Sequence, residues 1–454
     1  ANWESRKTGI PISTTPFLQA HAFLRRNASC KRLVVSGWGG VARHFESLHR
    51  RLPEDVIFSC LSDSLGWDPV NAVFSKLEGR ERWPIPWLED DPSMWLPQLH
   101  VNRFERDINL AEQYGCQGLL GIHWRHRIVD PTAVYQARFS WDKTLTPDAH
   151  FAQYAGSQAV GARAVKLGGI LADADKNAKL LATSVGEVKD GHVVQHEWSG
   201  DYTEGFTFWN EYEPPPGVMQ SQAEVANALR ALTAEAADPI ERERLGHLAG
   251  NFEFLTAYSE AWLKAHRLNL VLERAAKEKT DAALRVSAEA VPLWLELAPL
   301  VRQAMLDFQG VVATRNDLGT LASLHNKFVR LALVRLRLSM KEYLGELPPQ
   351  VEEMYAKVIL PDPHAPSRIF APTRPTMLRP GESVRLTIIA PGAAEPGPIT
   401  LQTRLRPSAR WVATEAKLRA RRTYEAQLGP FPASANVVDY RVDPQGEIYK
   451  VTIL

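Results

Sequence analysis

DVIFSCLSD, residues Asp55 to Asp63, is a short apolar run that ends on an acid. Its residues fit a strand, and the lack of polar alternation fits one buried on both faces, as parallel strands are. It leads through Gly66 and Pro69 into a predicted helix over Val70 to Leu77, with Val70, Val73, Phe74 and Leu77 on one face. Upstream, RLVVSGW (Arg32 to Trp38) closes on Gly37, Gly39 and Gly40 and feeds helix-spaced Val41, Phe45, Leu48 and Leu52. Downstream, WPIPWLEDD (Trp83 to Asp91) precedes a helical stripe of Val101, Phe104, Ile108 and Ala111. GLLGIHW (Gly118 to Trp124) is then a fourth strand, ahead of a helical stretch over Pro147 to Leu181. Alternating strands and helices imply a parallel sheet, with polar residues at the C-terminal strand ends, where barrels and open α/β enzymes place their sites.

A complete eight-unit barrel takes about 250 residues. Four units, with one further strand at Gly9 to Ser13, precede Asp142. The expected fold is therefore α/β: the second half of a TIM-type (β/α) barrel over residues 1–182, the C-terminal portion of a longer protein. Its first half would come from the same or a companion polypeptide. Residues 183–220 break the periodicity with Trp198, Tyr202, Phe206, Phe208, Trp209 and Tyr212, an aromatic loop or hairpin excursion. Over 221–347 the spacing of Leu245, Leu248, Phe252, Leu255, Tyr258 and Trp262, and of Leu321, Leu324, Phe328, Leu331, Val334 and Leu338, predicts a helical bundle domain. Prolines from Pro348 to Pro366 predict a stiff linker over 348–366. Alternation at Val384, Leu386 and Ile388, and at Ile399, Leu401 and Leu405, predicts an Ig-like β-sandwich over 367–454.

A hydrophobic fraction of 45% and a net charge of +1 describe a globular chain with no field to draw nucleic acid. No apolar run reaches the roughly 18 to 20 residues that span a bilayer, so no membrane partner is expected. A soluble protein is expected, periplasmic or secreted ahead of cytoplasmic. Cys30, Cys60 and Cys116 lack the paired spacing of a zinc site or disulfide framework and read as buried thiols. The helical stripes could also form a homodimer.

Glycoside hydrolysis generally uses two carboxyl groups, one to protonate the leaving oxygen and one to activate water or attack the sugar. Asp63 closes the second strand, and Glu89, Asp90 and Asp91 close the third. The separation of 26 residues from Asp63 to Glu89 fits one intervening helix. Alternation puts Ile85, Trp87 and Glu89 on one face, so Glu89 is the expected inward acid with Asp90 in reserve; acids before proline, such as Asp91 and Asp68, also suit turn caps. His123 and Arg125 follow the fourth strand, with His126 and Arg127, and could hold an acidic sugar. Trp38, Trp67, Trp87, Trp95 and Trp124 could stack on pyranose rings or fill a core. Eight of the 13 tryptophans precede Asp142, which favours an aromatic binding surface in that half. Ser36 to Gly40 (SGWGG) lacks the P-loop lysine and the dinucleotide spacing, so a tight turn is the better reading. There is no Gly-x-Ser-x-Gly elbow, and neither metal nor cofactor is expected.

The order of barrel half, long helical domain and strand-end acids resembles exo-acting glycosidases of the α-glucuronidase and β-N-acetylhexosaminidase kind, over Trp3 to Gly345. In α-glucuronidases a general acid lies on a mid-barrel strand and two carboxylates on later strands serve the attacking water. The resemblance implies that Asp63 and Glu89 are that later pair, that the general acid lies in the first barrel half, and that YQARFSWD (Tyr135 to Asp142) is a structural helix. The chain departs from both families: it has no diagnostic motif of either, and the Asp-Glu pair of the hexosaminidases has no counterpart. The expected activity is exo-hydrolysis of a terminal acidic or N-acetylated sugar. A carbohydrate-binding or scaffold protein on a barrel framework is the alternative, and a lyase or isomerase would need a ligand cluster that the sequence does not offer.

Overall fold

The computed structural model describes residues 13–27, 29, 32–62, 69–89, 95–123, 127–177, 186–189, 192–195, 217–278, 280–359, 368–392, 395–406, 410–444 and 448–454. They form a mixed α/β protein with helical and sheet parts. β1 (Val34–Ser36), β2 (Ile57–Leu61) and β3 (Arg82–Ile85) make a parallel sheet in that order. β2 is central and all five of its residues are buried, which is why its sequence shows no alternation. Residues 117–122 run beside β3: Gln117 N donates to Arg82 O at 3.2 Å, Leu120 N to Pro84 O at 3.1 Å and Ile122 N to Pro86 O at 3.1 Å, and Leu88 N returns to Ile122 O at 2.9 Å. The expected fourth strand is thus reduced to a single parallel bridge, Trp87 to Ile122. Pro84 and Pro86 stand where the ladder needs donors, and proline has no N–H to give.

The connections differ more from expectation. After β1 come two short 3-10 turns and α2 (Phe45–His49), the first helix among the described residues, α1, being Thr15–Asn27. The predicted helix over Val70 to Leu77 is a 3-10 helix, Ala72–Lys76. Asn71 caps it by accepting from Val73 N at 2.9 Å, and Gly79 turns the chain at φ +72. That leaves room for little more than a turn, which tightens to i→i+3 bonding. α3 (Val101–Gln113) buries Val101, Phe104, Ile108 and Ala111 as its spacing implies. The predicted strand at Gly9 to Ser13 lies almost wholly outside the described residues.

The N-terminal edge of the sheet is closed by arginine. Arg80, 2% exposed, donates to the carbonyls of His49 (2.9 Å), Leu52 (3.0 Å), Pro53 (2.6 Å) and Val56 (2.7 Å). Arg82 reaches Phe74 O at 2.7 Å and Gly115 O at 2.9 Å. Above them Gly37 lets α2 approach β2: a Cβ there would lie 2.6 Å from Cys60 Sγ and 2.7 Å from the Phe45 ring. Gly37→Ala should therefore cost about 1 to 3 kcal/mol by overpacking; an unchanged urea midpoint would contradict this packing. Cys60 is buried, and burial pushes the Cys116 thiol up to about 11.

α4 (Asp130–Phe139) contains most of the predicted structural helix around Tyr135. The helical stretch after it divides into α5 (Pro147–Gln158) and α6 (Ala162–Lys176) at Gly161, whose φ of +59 an L side chain would resist. Of the aromatic excursion expected over 183–220, the described residues are a hairpin of β4 (Gly186–Lys189) and β5 (His192–Gln195) and residues 217–220, which already open the next helix. α7 (Val218–Glu235), the 39-residue α8 (Pro239–Lys277) and α9 (Val291–Val311) form the helical layer, and α8 buries its whole predicted stripe. α10 (Arg315–Ser323) runs into a π-helical segment, Leu324–Arg335, before α11 (Leu336–Leu344). The wider π turn moves the buried face onto Ala332, Leu333 and Leu336, so Leu338, predicted on the stripe, is 48% exposed. Residues expected to be linker form α12 (Pro349–Ile359), with Val351 buried. Pro349 is its first residue, where the missing N–H costs nothing, so that part of the linker reading is corrected. A single apolar cluster runs from Leu88 and Trp95 through these helices to Phe370. Among the described residues no helix is long and apolar enough to cross a membrane.

The C-terminal strands are β6 (Met377–Leu378), β7 (Val384–Ile389), β8 (Thr400–Leu405), β9 (Val412–Glu415), β10 (Lys417–Ala420), β11 (Thr423–Leu428), β12 (Val437–Asp443) and β13 (Tyr449–Ile453). They form two sheets, β10-β11-β7 and β6-β13-β12-β8-β9. Leu386, Ile388 and Leu428 of one share a core with Leu401, Val438, Tyr440 and Val451 of the other.

These parts are tied at Glu243 on α8. Arg127 grips it with two bonds, 3.0 and 2.8 Å, and Arg368 adds a third at 3.1 Å. Burial pushes the Glu243 carboxyl up, but Arg127 and then Arg368 outweigh it and hold it at about 2. Because the folded value is depressed, the stabilisation is complete above the ordinary value of 4.5 and is lost as pH falls toward about 2. Glu243→Gln should cost on the order of 3 kcal/mol at neutral pH. The gap to the wild type should narrow as pH drops through that window; a gap independent of pH in acid unfolding would refute the coupling.

Candidate active site

The described members of the predicted site are Trp38, Trp87, Glu89 and His123, which lie just past the C-terminal ends of β1 and β3 and of the segment beside β3. Trp38, just past β1, is 57% exposed and its backbone N–H donates to Ser36 Oγ at 3.3 Å. At the exit of β2, Ser62 O accepts the Trp87 indole N–H at 3.3 Å. Trp87 is 1% exposed, so it belongs to the wall beneath the strand ends and offers no ring face to a sugar. Trp95 is likewise in the core, edge-on to Tyr258 at 5.8 Å. Glu89 follows Trp87 by two residues and has no exposed surface. The Trp87 to Ile122 bridge sets Leu88 opposite His123, which is exposed. Glu89 and His123 therefore leave the sheet on adjacent chain segments. Asp63, Asp90, Trp67, Trp124 and Arg125 lie outside the described residues.

Beneath this edge lies a layer of buried polar groups that sequence reasoning missed. Arg103 donates to Trp87 O at 2.9 Å and so fixes the strand just before Glu89. Asp107, 1% exposed, accepts from Arg106 Nε at 2.9 Å. Burial raises its carboxyl above the ordinary range while Arg106 and Arg103 pull it down. His100 bonds Gln98 at 2.9 Å, and its backbone N–H donates to Thr132 Oγ1 at 3.2 Å. Asp175, near the end of α6, accepts the Val101 and Asn102 amides at 3.0 Å each and so caps α3 from a distant part of the chain. Burial raises the Asp175 carboxyl, against the pull of those bonds. Only Asp107 left a signal in the sequence: it is an acid three residues after Phe104 and next to Ile108, on the flank of the buried α3 stripe.

No protein-family model matches the sequence, and no curated protein matches it. Among solved structures the chain is similar to a 4-O-methyl-α-glucuronidase of glycoside hydrolase family 115 with specificity for decorated arabinogalactans, at 11% identity and a TM-score of 0.39. That match covers 92% of this chain and 56% of the other. It is also similar to a glycoside hydrolase family 138 enzyme targeting pectin rhamnogalacturonan II, at 9% identity and a TM-score of 0.42, covering 95% of this chain and 63% of that one. The chain thus spans less than two thirds of either neighbour. Likeness at these TM-scores does not fix a common fold.

Chemically, the edge offers a carboxyl taken out of water, an imidazole on the adjacent segment and an exposed indole. A buried carboxyl costs several kcal/mol relative to an apolar side chain, an expensive choice for packing alone. Proton transfer is what such a group supplies well.

Proposed function

We propose that the chain is a glycoside hydrolase that acts in exo fashion on a terminal acidic or N-acetylated sugar, with its site at the C-terminal strand ends. The observation that carries this reading is the complete burial of Glu89 at the exit of β3, where parallel α/β proteins place their chemistry. In the proposal Glu89 and Asp63 are the catalytic carboxyls, with Asp90 in reserve. Trp38, His123 and Arg125, with Trp67 and Trp124, contact the sugar. Trp87 acts by holding the wall. The proposal includes a partial barrel frame over 1–182, a helical domain and an Ig-like sandwich. Companion strands from the same or another polypeptide, and a homodimer, belong to the same proposal.

One observation favours a second reading, a non-catalytic carbohydrate-binding protein: Trp38 presents an indole that is 57% exposed, a face for a sugar ring that needs no proton transfer. Release of nitrophenol from aryl glycosides separates the two. Such leaving groups depart with little protonation, so the assay does not require a separate general acid. Turnover supports the hydrolase; sugar affinity with no turnover from uronide, N-acetylhexosaminide or neutral aryl glycosides would replace it with the second reading.

A further inference from the structure

A cavity of about 790 Å³ opens where the start of α4, the end of α5, the first turns of α8 and α10, and residues 372–374 meet. Four arginines line it, Arg127, Arg244, Arg315 and Arg374, and the acid among the described lining residues is Asp130. Two carboxylates stand behind the wall: Glu243, shared by Arg127 and Arg368, and Asp317, turned into the capping box with Thr314. Among the described residues, counting them and Arg368, five guanidinium groups stand with three carboxylates. A junction that only had to pack would gain nothing from this excess, because like charges in a cleft repel and focus a positive field into it.

The charges are also held in place. Arg244 Nη1 donates to Ser157 O at 2.7 Å. Arg374 Nη2 donates to Ala313 O at 3.2 Å, and its guanidinium sits 4.3 Å over the Tyr449 ring. Arg127 adopts a φ of +60, a conformation that costs a non-glycine residue on the order of 1 kcal/mol and that persists where a side chain must be aimed. Arg315 stands at the first residue of α10, where the helix dipole adds positive potential. Arginines fixed before a ligand arrives spare it the entropy of ordering them, and the cavity volume is that of small-molecule sites.

We propose that this cavity binds a small organic anion through its oxyanion group, a carboxylate or a phosphate. The site uses none of the residues assigned to the proposed sugar site, since Arg127, which the sequence placed after the fourth strand, lines this cavity, and it stands independently of the hydrolase reading.

Calorimetric titration of the full chain with glucuronate, inorganic phosphate and glucose tests it. At least one anion should bind and glucose should not, with affinity falling as salt rises. Binding of glucuronate alone identifies a carboxylate ligand, and of phosphate alone a phosphate ligand. The double variant Arg244→Gln/Arg315→Gln should weaken binding by about tenfold or more, since each charged hydrogen bond contributes roughly 1.5 to 3 kcal/mol. Arg315→Gln alone, at an exposed position, should weaken it in the same direction with the thermal midpoint kept. Glu89→Gln should bind the anion as the wild type does. Absence of binding by both anions, equal binding of glucose, or wild-type affinity in the double variant would overturn the proposal.

Discussion

Glu89→Gln is expected to lower kcat/KM toward a reactive aryl glycoside about a thousandfold, with the thermal midpoint nearly unchanged. The substitution keeps the side chain's shape and removes its ability to carry or release a proton, and positioned proton transfer is worth roughly 10² to 10⁴ in rate. Neither a KM effect alone nor a general loss of folding fits the account, because an interaction made only in the transition state lowers kcat and kcat/KM together. Asp63→Asn should act in the same direction. Wild-type turnover in Glu89→Gln would remove the residue from the mechanism.

The largest stability effect should come from the opposite edge of the sheet. Arg80→Met is expected to destabilise the chain by about 3 to 5 kcal/mol, because it strips one cation from four main-chain carbonyls that have little access to water. The guanidinium also lies 4.9 Å over the Phe58 ring on β2, so contact with the central strand is lost too. Arg80→Lys should recover only part of the loss, since a lysine head cannot serve four acceptors with the geometry of a planar fork. Urea unfolding within about 1 kcal/mol of the wild type in Arg80→Met would contradict this role. Any activity should track the folded fraction, because the strand exits lie at the far end of β3.

The two edges show what the sequence could and could not reveal. β2 was legible because a strand covered on both faces must be apolar throughout, and α3 because its stripe has helical period. The fourth strand was legible as an apolar run, but its thinned pairing was not, since that depends on which faces of Pro84 and Pro86 meet residues 117–122. The tryptophans could not be sorted: Trp38 is exposed and Trp87 buried, yet both follow a strand by two residues. Pro349 reads as a linker residue by composition and as a helix start by position. Asp175 capping α3 and the arginines of the cavity were beyond reach, because they converge from segments more than fifty residues apart. Alternation in the sequence selects Glu89 among the strand-end acids, and its burial is the feature that only the fold supplies.

The most direct test of a sugar site at the strand exits is amide hydrogen exchange of the wild-type chain with and without a uronic-acid-bearing oligosaccharide. The account predicts slowed exchange in residues 36–40, 59–62, 87–89 and 119–123. Protection confined to other segments, or none at saturating oligosaccharide, would contradict it.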